Sequence, residues 1–281
     1  MGRPENIEVF ENTMEMCRTE PKLVSAIKSA NSAQSLIFEY QPVELKAAGK
    51  GTKSDVIVSR KRTLEAASAY ARDGKRVCVL NFASASNPGG GVKNGSSAQE
   101  EALCRCSTLY SSLIQNQMWG GFYAPHRSAH DPLHNDDCIY TPGVVAFKTD
   151  TNYPTAMPKD QWYSVNVITC AAPNLREKPT NSMNYDGDKS VKISDADLQK
   201  LHEKRLERIL SIAALNENDV VILGAFGCGA FMNPPEVVAN GMIPAIEKFR
   251  EYFDTIELAI YCSPRDDTNF RVFDRVMKRL K

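Results

Sequence analysis

Apolar residues along this chain recur with two different periods. From residue 9 to 30, Phe10, Met14, Cys17, Leu23 and Ile27 keep helical spacing, with Pro21 marking a break or restart. "SLIFEY" (35–40) and "DVIVSR" (55–60) read as short strands, and "TLEAASAYARDG" (63–74) as a helix with Thr63 as cap and Gly74 as stop. "KRVCVLNFA" (75–83) is a continuous β-branched and apolar run, the mark of a buried strand. A helix is expected from about 98 to 116, a loop over 117–137, and a strand over 138–148 interrupted by Pro142-Gly143. A strand over 162–172 precedes a polar stretch, 173–193, that reads as a long exposed loop. Residues 194–216 form an amphipathic helix capped by Ser194, with Leu198, Leu201, Leu206, Ile209, Ile212 and Ala213 inside. Strands over 219–226 and 255–262 alternate with helices over 234–253 and 269–280.

Strands that read as unbroken apolar runs and alternate with helices predict an α/β fold: a mixed, mainly parallel sheet covered on both faces. Residues 1–32 are expected to form an N-terminal helical extension and 33–281 one α/β domain. Ligands of such folds sit beyond the carboxyl ends of strands. Two glycine stretches, 89–91 and 227–229, directly follow strands and are placed to meet at one cleft.

Composition narrows the classes. With 42% hydrophobic and 24% charged residues the chain is globular. Zero formal net charge argues against nucleic-acid binding by bulk attraction, so an anionic ligand would need a local site. No apolar run reaches the ~18 residues of a membrane span. The N-terminus lacks a signal core, and Asn6 stands where a myristoylation motif needs Ser or Thr. Eight cysteines without a C-x-x-C are read as reduced thiols, which predicts a cytoplasmic protein.

The stretch "NPGGGVKNGSSAQEE" (87–101) sets glycines against two adjacent carboxylates. Amides of a glycine turn can converge on an anion, and two such loops suit a diphosphate; equally, both are tight strand-to-helix turns. Neither loop matches Walker A or the dinucleotide G-x-G-x-x-G. Glu100 completes an S-x-x-E capping box from Ser97, whereas Glu101 is either a solvated first-turn carboxylate or an acid facing a sugar. His126, His130 and His134 are spaced by four, but Pro125 and Pro132 deny them one helix, and no metal site is expected. His202 and the charged run 200–208 are expected on a solvated face.

The segment "NFASASNPGGGVKNGSSAQEEALCRCSTLY" resembles the signature of poly(ADP-ribose) glycohydrolases, GGG followed after six to eight residues by QEE; here seven residues separate Gly91 from Gln99. "GAFGCGAFMNPPE" resembles the second phosphate loop of the microbial branch, and "NFASASNP" follows the microbial rather than the animal pattern. The resemblance runs from about residue 55 to the C-terminus. It implies a macrodomain-like three-layer α/β/α fold that binds ADP-ribose and hydrolyses the ribose–ribose O-glycosidic bonds of poly(ADP-ribose), mainly from chain ends, without metal or cofactor. Its partners would be the polymer or ADP-ribosylated macromolecules, its product ADP-ribose.

The same resemblance makes Glu101 the catalytic acid/base and Glu100 the positioner of the ribose hydroxyls. Gly89, Gly90 and Gly91 would face the diphosphate on one side, Gly227, Cys228 and Gly229 on the other. Asn87, Gln99, Phe226 and Phe231 join them as substrate-binding residues. Aromatic side chains at these strand ends, Tyr261 included, either pack in the core or stack on adenine. Neighbours on one helix diverge by about 100°, so a single carboxylate serving as acid and then base fits better than an opposed acid–nucleophile pair. Two rivals share these motifs: a hydrolase of single ADP-ribose units, and a non-catalytic ADP-ribose reader.

Overall fold

A computed structural model describes residues 2–45 and 48–280. Helices α1 (Arg3–Thr19) and α2 (Pro21–Ala33) lead into β1 (Ser35–Ile37), β2 (Asp55–Ser59), α3 (Thr63–Arg72) and β3 (Val77–Ala83). Next come α4 (Gln99–Cys106), α5 (Leu109–Leu113), α6 (Asn116–Met118), a π-turn (Trp119–Tyr123), α7 (Ala124–Ala129), β4 (Cys138–Ala146) and β5 (Tyr163–Ala171). The chain closes with α8 (Asp195–Leu215), β6 (Val220–Leu223), α9 (Pro235–Phe249), β7 (Thr255–Ala259) and α10 (Thr268–Met277).

The seven strands form one sheet in the order β1-β4-β5-β3-β6-β7-β2. Pairs β5–β3, β3–β6, β6–β7 and β7–β2 are parallel, while β4 runs antiparallel to both β1 and β5. The break at Pro142-Gly143 is a register shift between Thr141 and Val144 rather than an end of pairing. Successive β-strand side chains point to opposite faces. Cys78 and Leu80 of β3, with Val221 and Leu223 of β6, pack under α8, α9 and α10. Val77 and Val79, with Val220 and Ile222, pack under α3, α4 and α5 on the other side. Two buried faces are why these strands read as continuous apolar runs.

The N-terminal helices are tied to the body. Thr13 Oγ1 donates to the Arg105 carbonyl at 2.5 Å, Lys148 Nζ to the Val9 carbonyl at 2.8 Å, and Asn6 Nδ2 to the Gly95 carbonyl at 2.8 Å.

Several local expectations are corrected. Residues 117–137 are largely helical, because a π-turn lets Trp119-Gly120-Gly121 continue into α7. The helix expected over 98–116 breaks at Ser107, whose Oγ turns back onto the Leu103 carbonyl at 2.7 Å. Thr63 is the first residue inside α3, and Arg62 is its cap. His202 and Arg205 are buried, not solvated. Arg205 reaches under β5 to Asp136 (2.8 Å) and the carbonyls of Leu133, His134 and Ala171, which supply the counter-charge and acceptors that a buried guanidinium requires. Stretch 173–193 has no regular structure, but Asn174 and Asp186 within it are buried.

Candidate active site

Asn81 interrupts the apolar run of β3, and its side chain faces α4. Nδ2 donates to Glu100 Oε1 and to Thr169 Oγ1, both at 3.2 Å. The Ser84 amide, just past the end of β3, donates to Glu100 Oε2 at 2.8 Å. Glu100 is therefore no capping-box residue: Ala98, not Ser97, is the N-cap of α4, without a side-chain cap, and the carboxyl secures the strand end instead. Gln99 works alongside it. Its Oε1 accepts from the Phe82 amide at 2.9 Å, while its Nε2 donates to the Leu80 carbonyl at 2.7 Å and Thr63 Oγ1 at 3.0 Å.

The glycine loop folds back over the same helix. Gly90 has φ +55°, a left-handed conformation that glycine adopts without strain. A Cβ on Gly90 would lie 2.7 Å from Glu101 Oε1 and 3.1 Å from Glu100 Oε2, so both carboxylates converge on one stretch of main chain. The Gly91 amide donates to Glu101 Oε1 at 2.9 Å.

The second loop follows β6. Gly227, φ +79°, lies so close to Ala172 and Asn233 that a Cβ would meet them at 2.8 and 2.7 Å. Asn233 clamps it: Nδ2 donates to the carbonyls of Pro173 (2.7 Å) and Gly227 (3.1 Å), and Oδ1 pairs with His202 Nε2 at 2.9 Å. Burial holds His202 neutral, its pKa pushed down to about 4.

Residues 173–187 supply the remaining wall. Asp186 accepts from Ser86 Oγ (3.0 Å) and Asn174 Nδ2 (2.8 Å), with His134 Nε2 at 3.4 Å. Ser84 Oγ donates to Asn184 Oδ1 at 2.6 Å, and Asn87 Nδ2 donates to the Met183 carbonyl. The segment is a long and largely exposed loop, as its polarity predicts, but its buried polar groups pair with one another and with the first loop.

These walls enclose a cleft of about 700 Å³. Gly90, Gly91, Gln99, Glu100, Glu101, Gly227, Gly229 and Phe231 line it; Asn87, Gly89, Phe226 and Cys228 do not. Phe226 is buried, packed on Phe82 with ring centroids 5.5 Å apart. Phe231 is half-buried beneath the Arg176 guanidinium, 5.8 Å from its ring centroid. At one end Tyr261 lies exposed under the Arg62 guanidinium, 3.9 Å from the ring centroid. At another, Arg3, Asn6 and Ser96 reach the lining. Among the described residues no group of three or more His, Cys, Asp or Glu side chains could hold a metal ion. No helix there is long and apolar enough to cross a membrane.

Glu100 and Glu101 are both buried, at 3% and 7% exposure. Desolvation and the neighbouring charge of Glu101 push Glu100 up to about 8. Glu101 is raised by desolvation, against the lowering pull of the Gly91 amide. Burial by the protein itself, before any substrate enters, thus favours the protonated acids that a leaving oxygen needs.

Comparison with known proteins bears on this arrangement. Residues 9–149 match the model of the microbial-type poly(ADP-ribose) glycohydrolase catalytic domain, half of the chain and the half that carries the first glycine loop and both glutamates. The chain belongs to the microbial-type poly(ADP-ribose) glycohydrolase family. Its reaction is that of a glycosidase acting on poly(ADP-ribose). The poly(ADP-ribose) glycohydrolase of Thermomonospora curvata is 28% identical, with a TM-score of 0.80 over 98% of this chain and 100% of that one. The same bacterium's enzyme bound to the inhibitor ADP-HPD gives 28% and 0.77 over 97% and 99%. The Deinococcus radiodurans glycohydrolase in complex with ADP-ribose gives 29% and 0.75 over 90% and 97%. No curated protein matches the sequence.

Sequence reasoning missed Ser84, Met183, Asn184, Asn233 and the first turn of α1 as parts of this glycohydrolase site. Asn81 carried a signal, a lone amide inside an otherwise apolar strand. Ser84 and Asn233 lie inside the two quoted glycine stretches without a signal of their own, and Met183, Asn184 and α1 are brought in by distant segments.

Proposed function

We propose that this chain releases ADP-ribose from the ends of poly(ADP-ribose), in a macrodomain-like fold, with Glu101 as acid and then base. The observation that supports this most directly is the Gly91–Glu101 hydrogen bond of 2.9 Å, which sets a buried carboxyl beside the glycine loop. The substrate's terminal diphosphate lies between loops 89–91 and 227–229, where main-chain amides and absent side chains suit an anion. That leaves the terminal ribose above Glu100 and Glu101. Tyr261 under Arg62 offers a flat platform for the base.

Protonated Glu101 gives its proton to the departing ribose oxygen as the glycosidic C–O bond breaks. The sugar passes through an oxocarbenium-like state whose positive charge is stabilised by the nearby diphosphate and carboxylates. Water then adds to the anomeric carbon and loses a proton to Glu101, restoring the acid. Glu100, already held by Asn81 and Ser84, presents its carboxyl group to a ribose hydroxyl. A pure reader of ADP-ribose would have no use for two buried carboxyls with raised proton affinity. Eight free thiols support a reducing, cytoplasmic setting.

The test is Glu101→Ala assayed on polymer by chromatography of released ADP-ribose. Expected is loss of release with ADP-ribose binding retained by calorimetry; full activity in the variant would overturn the role of Glu101. The same protein on mono-modified substrates of defined linkage separates polymer hydrolysis from single-unit removal.

A further inference from the structure

The parts of the cleft are ordered by the sheet. β7, β6 and β3 are neighbours, so the residues beyond their carboxyl ends lie in sequence across the cleft: Tyr261, then Gly227, then Gly90 and the glutamates. The base, two riboses and diphosphate of one ADP-ribosyl unit account for those residues. The lining nevertheless continues past Gly91 to Ser96 and the first turn of α1, with Arg3 and Asn6.

That first turn is fixed in place. Asn6 Nδ2 donates to the Gly95 carbonyl at 2.8 Å, and Gly95 is packed so tightly on the Arg3 carbonyl that no Cβ would fit between them. The Arg3 side chain is exposed, and no ion pair joins it to a carboxylate among the described residues. A main chain held by these contacts thus carries an exposed guanidinium at the rim of the cleft that also holds Glu100 and Glu101.

We propose that Arg3, at the first turn of α1 beside Ser96, receives the diphosphate of the departing unit. This rests on the poly(ADP-ribose) glycohydrolase reading. The leaving group of that reaction is itself an ADP-ribosyl unit, a ribose hydroxyl attached to a nucleotide with two negative charges. Proton delivery from Glu101 requires this oxygen to face α4, so its nucleotide extends away from the donor's own diphosphate. Guanidinium pairs with phosphate oxygens through charge-assisted and often bidentate hydrogen bonds. Arg3 is accordingly a specificity residue for polymer over small aglycones, not a participant in the chemistry.

The experiment compares kcat/KM on an ADP-ribose oligomer of defined length with kcat/KM on an aryl glycoside of ADP-ribose, whose phenol leaving group carries no phosphate. In Arg3→Glu the polymer-to-aryl ratio is expected to fall about tenfold at low salt, with a smaller salt dependence on polymer than the unaltered protein shows. Arg3→Lys should recover part of the ratio, since charge returns without the planar fork. Because Arg3 is exposed, an unchanged circular dichroism melt confirms that Arg3→Glu is folded. A ratio in Arg3→Glu equal to that of the unaltered protein overturns the subsite alone. Failure of the unaltered protein to cleave either substrate sinks the glycohydrolase reading and the subsite together.

Discussion

Gly91 and Glu101 are ten residues apart in sequence and joined in space: the glycine amide donates to the carboxylate Oε1 at 2.9 Å. In the proposed mechanism this bond joins the loop assigned to the diphosphate to the carboxyl assigned to proton transfer. An amide prefers an ionised acceptor, so this donor pulls against the burial that raises the pKa of Glu101. A diphosphate arriving over the loop competes for the same main chain and adds negative charge beside the acid. Both effects favour the protonated form when substrate is bound.

Glu101→Gln keeps the shape and the Gly91 contact but cannot exchange a proton. Turnover of polymer should fall by about 10²–10⁴, the usual worth of a positioned acid/base. Affinity for ADP-ribose by calorimetry should change far less. Near-native turnover would remove Glu101 from the chemistry.

Glu100 gives a pH signature in stability. Its folded-state pKa is raised from 4.5 to about 8, so the native protein binds more protons than the unfolded chain between those values. Its contribution is fully present below pH 4.5 and is lost as pH rises towards 8. Glu100→Gln, which stays neutral, should therefore gain in melting temperature on the unaltered protein as pH rises through that window. A melting-temperature difference that is flat in pH contradicts the burial argument.

Gly90→Ala tests the convergence of the two carboxylates. The new Cβ would sit 2.7 Å from Glu101 Oε1 at a φ of +55°. The strained backbone costs about 1–3 kcal/mol, seen as a lower denaturation midpoint. Polymer turnover should drop about 100-fold or more, because displaced carboxyls lose the alignment catalysis needs. Activity within a factor of two of normal would show that the loop can yield without cost.

The second loop depends on a neutral His202. With its pKa lowered from 6.5 to about 4, the native protein binds fewer protons than the unfolded chain between those values. The stability contribution is present above pH 6.5 and is lost as pH falls towards 4. His202→Gln should flatten that acid limb in a melting series. Asn233→Ala leaves the Pro173 and Gly227 carbonyls without their donor and should cost about 1–3 kcal/mol, with weaker ADP-ribose binding measured by calorimetry.

Continuous apolar runs and helical spacing were enough to place the strands β3, β5, β6 and β7 and the helices α8, α9 and α10, because a strand buried on both faces is apolar on both. Ser194 capped α8 as read, its Oγ accepting from the Asp197 amide at 3.2 Å. The glycine–glutamate spacing pointed to the cleft for a local reason as well: strand, tight turn and helix follow one another within about 25 residues. Ser97 misled, since a capping box is a local pattern and Glu100 found stronger partners in Asn81 and Ser84 across the strand end. His202 and Arg205 misled in the same way, as polar residues on a charged helix whose partners lie 31 and 69 residues distant.

The sequence by itself determined the α/β class, the two glycine turns at strand ends and the pair of adjacent acids, because each follows from spacing within one segment. Only the tertiary structure decided that both acids turn towards Gly90, that Asn233 and Asp186 fasten the cleft walls, and that the first turn of α1 joins the lining. Those contacts join residues tens to about a hundred positions apart, and desolvation, which sets the acids' proton affinity, exists only once such segments have packed.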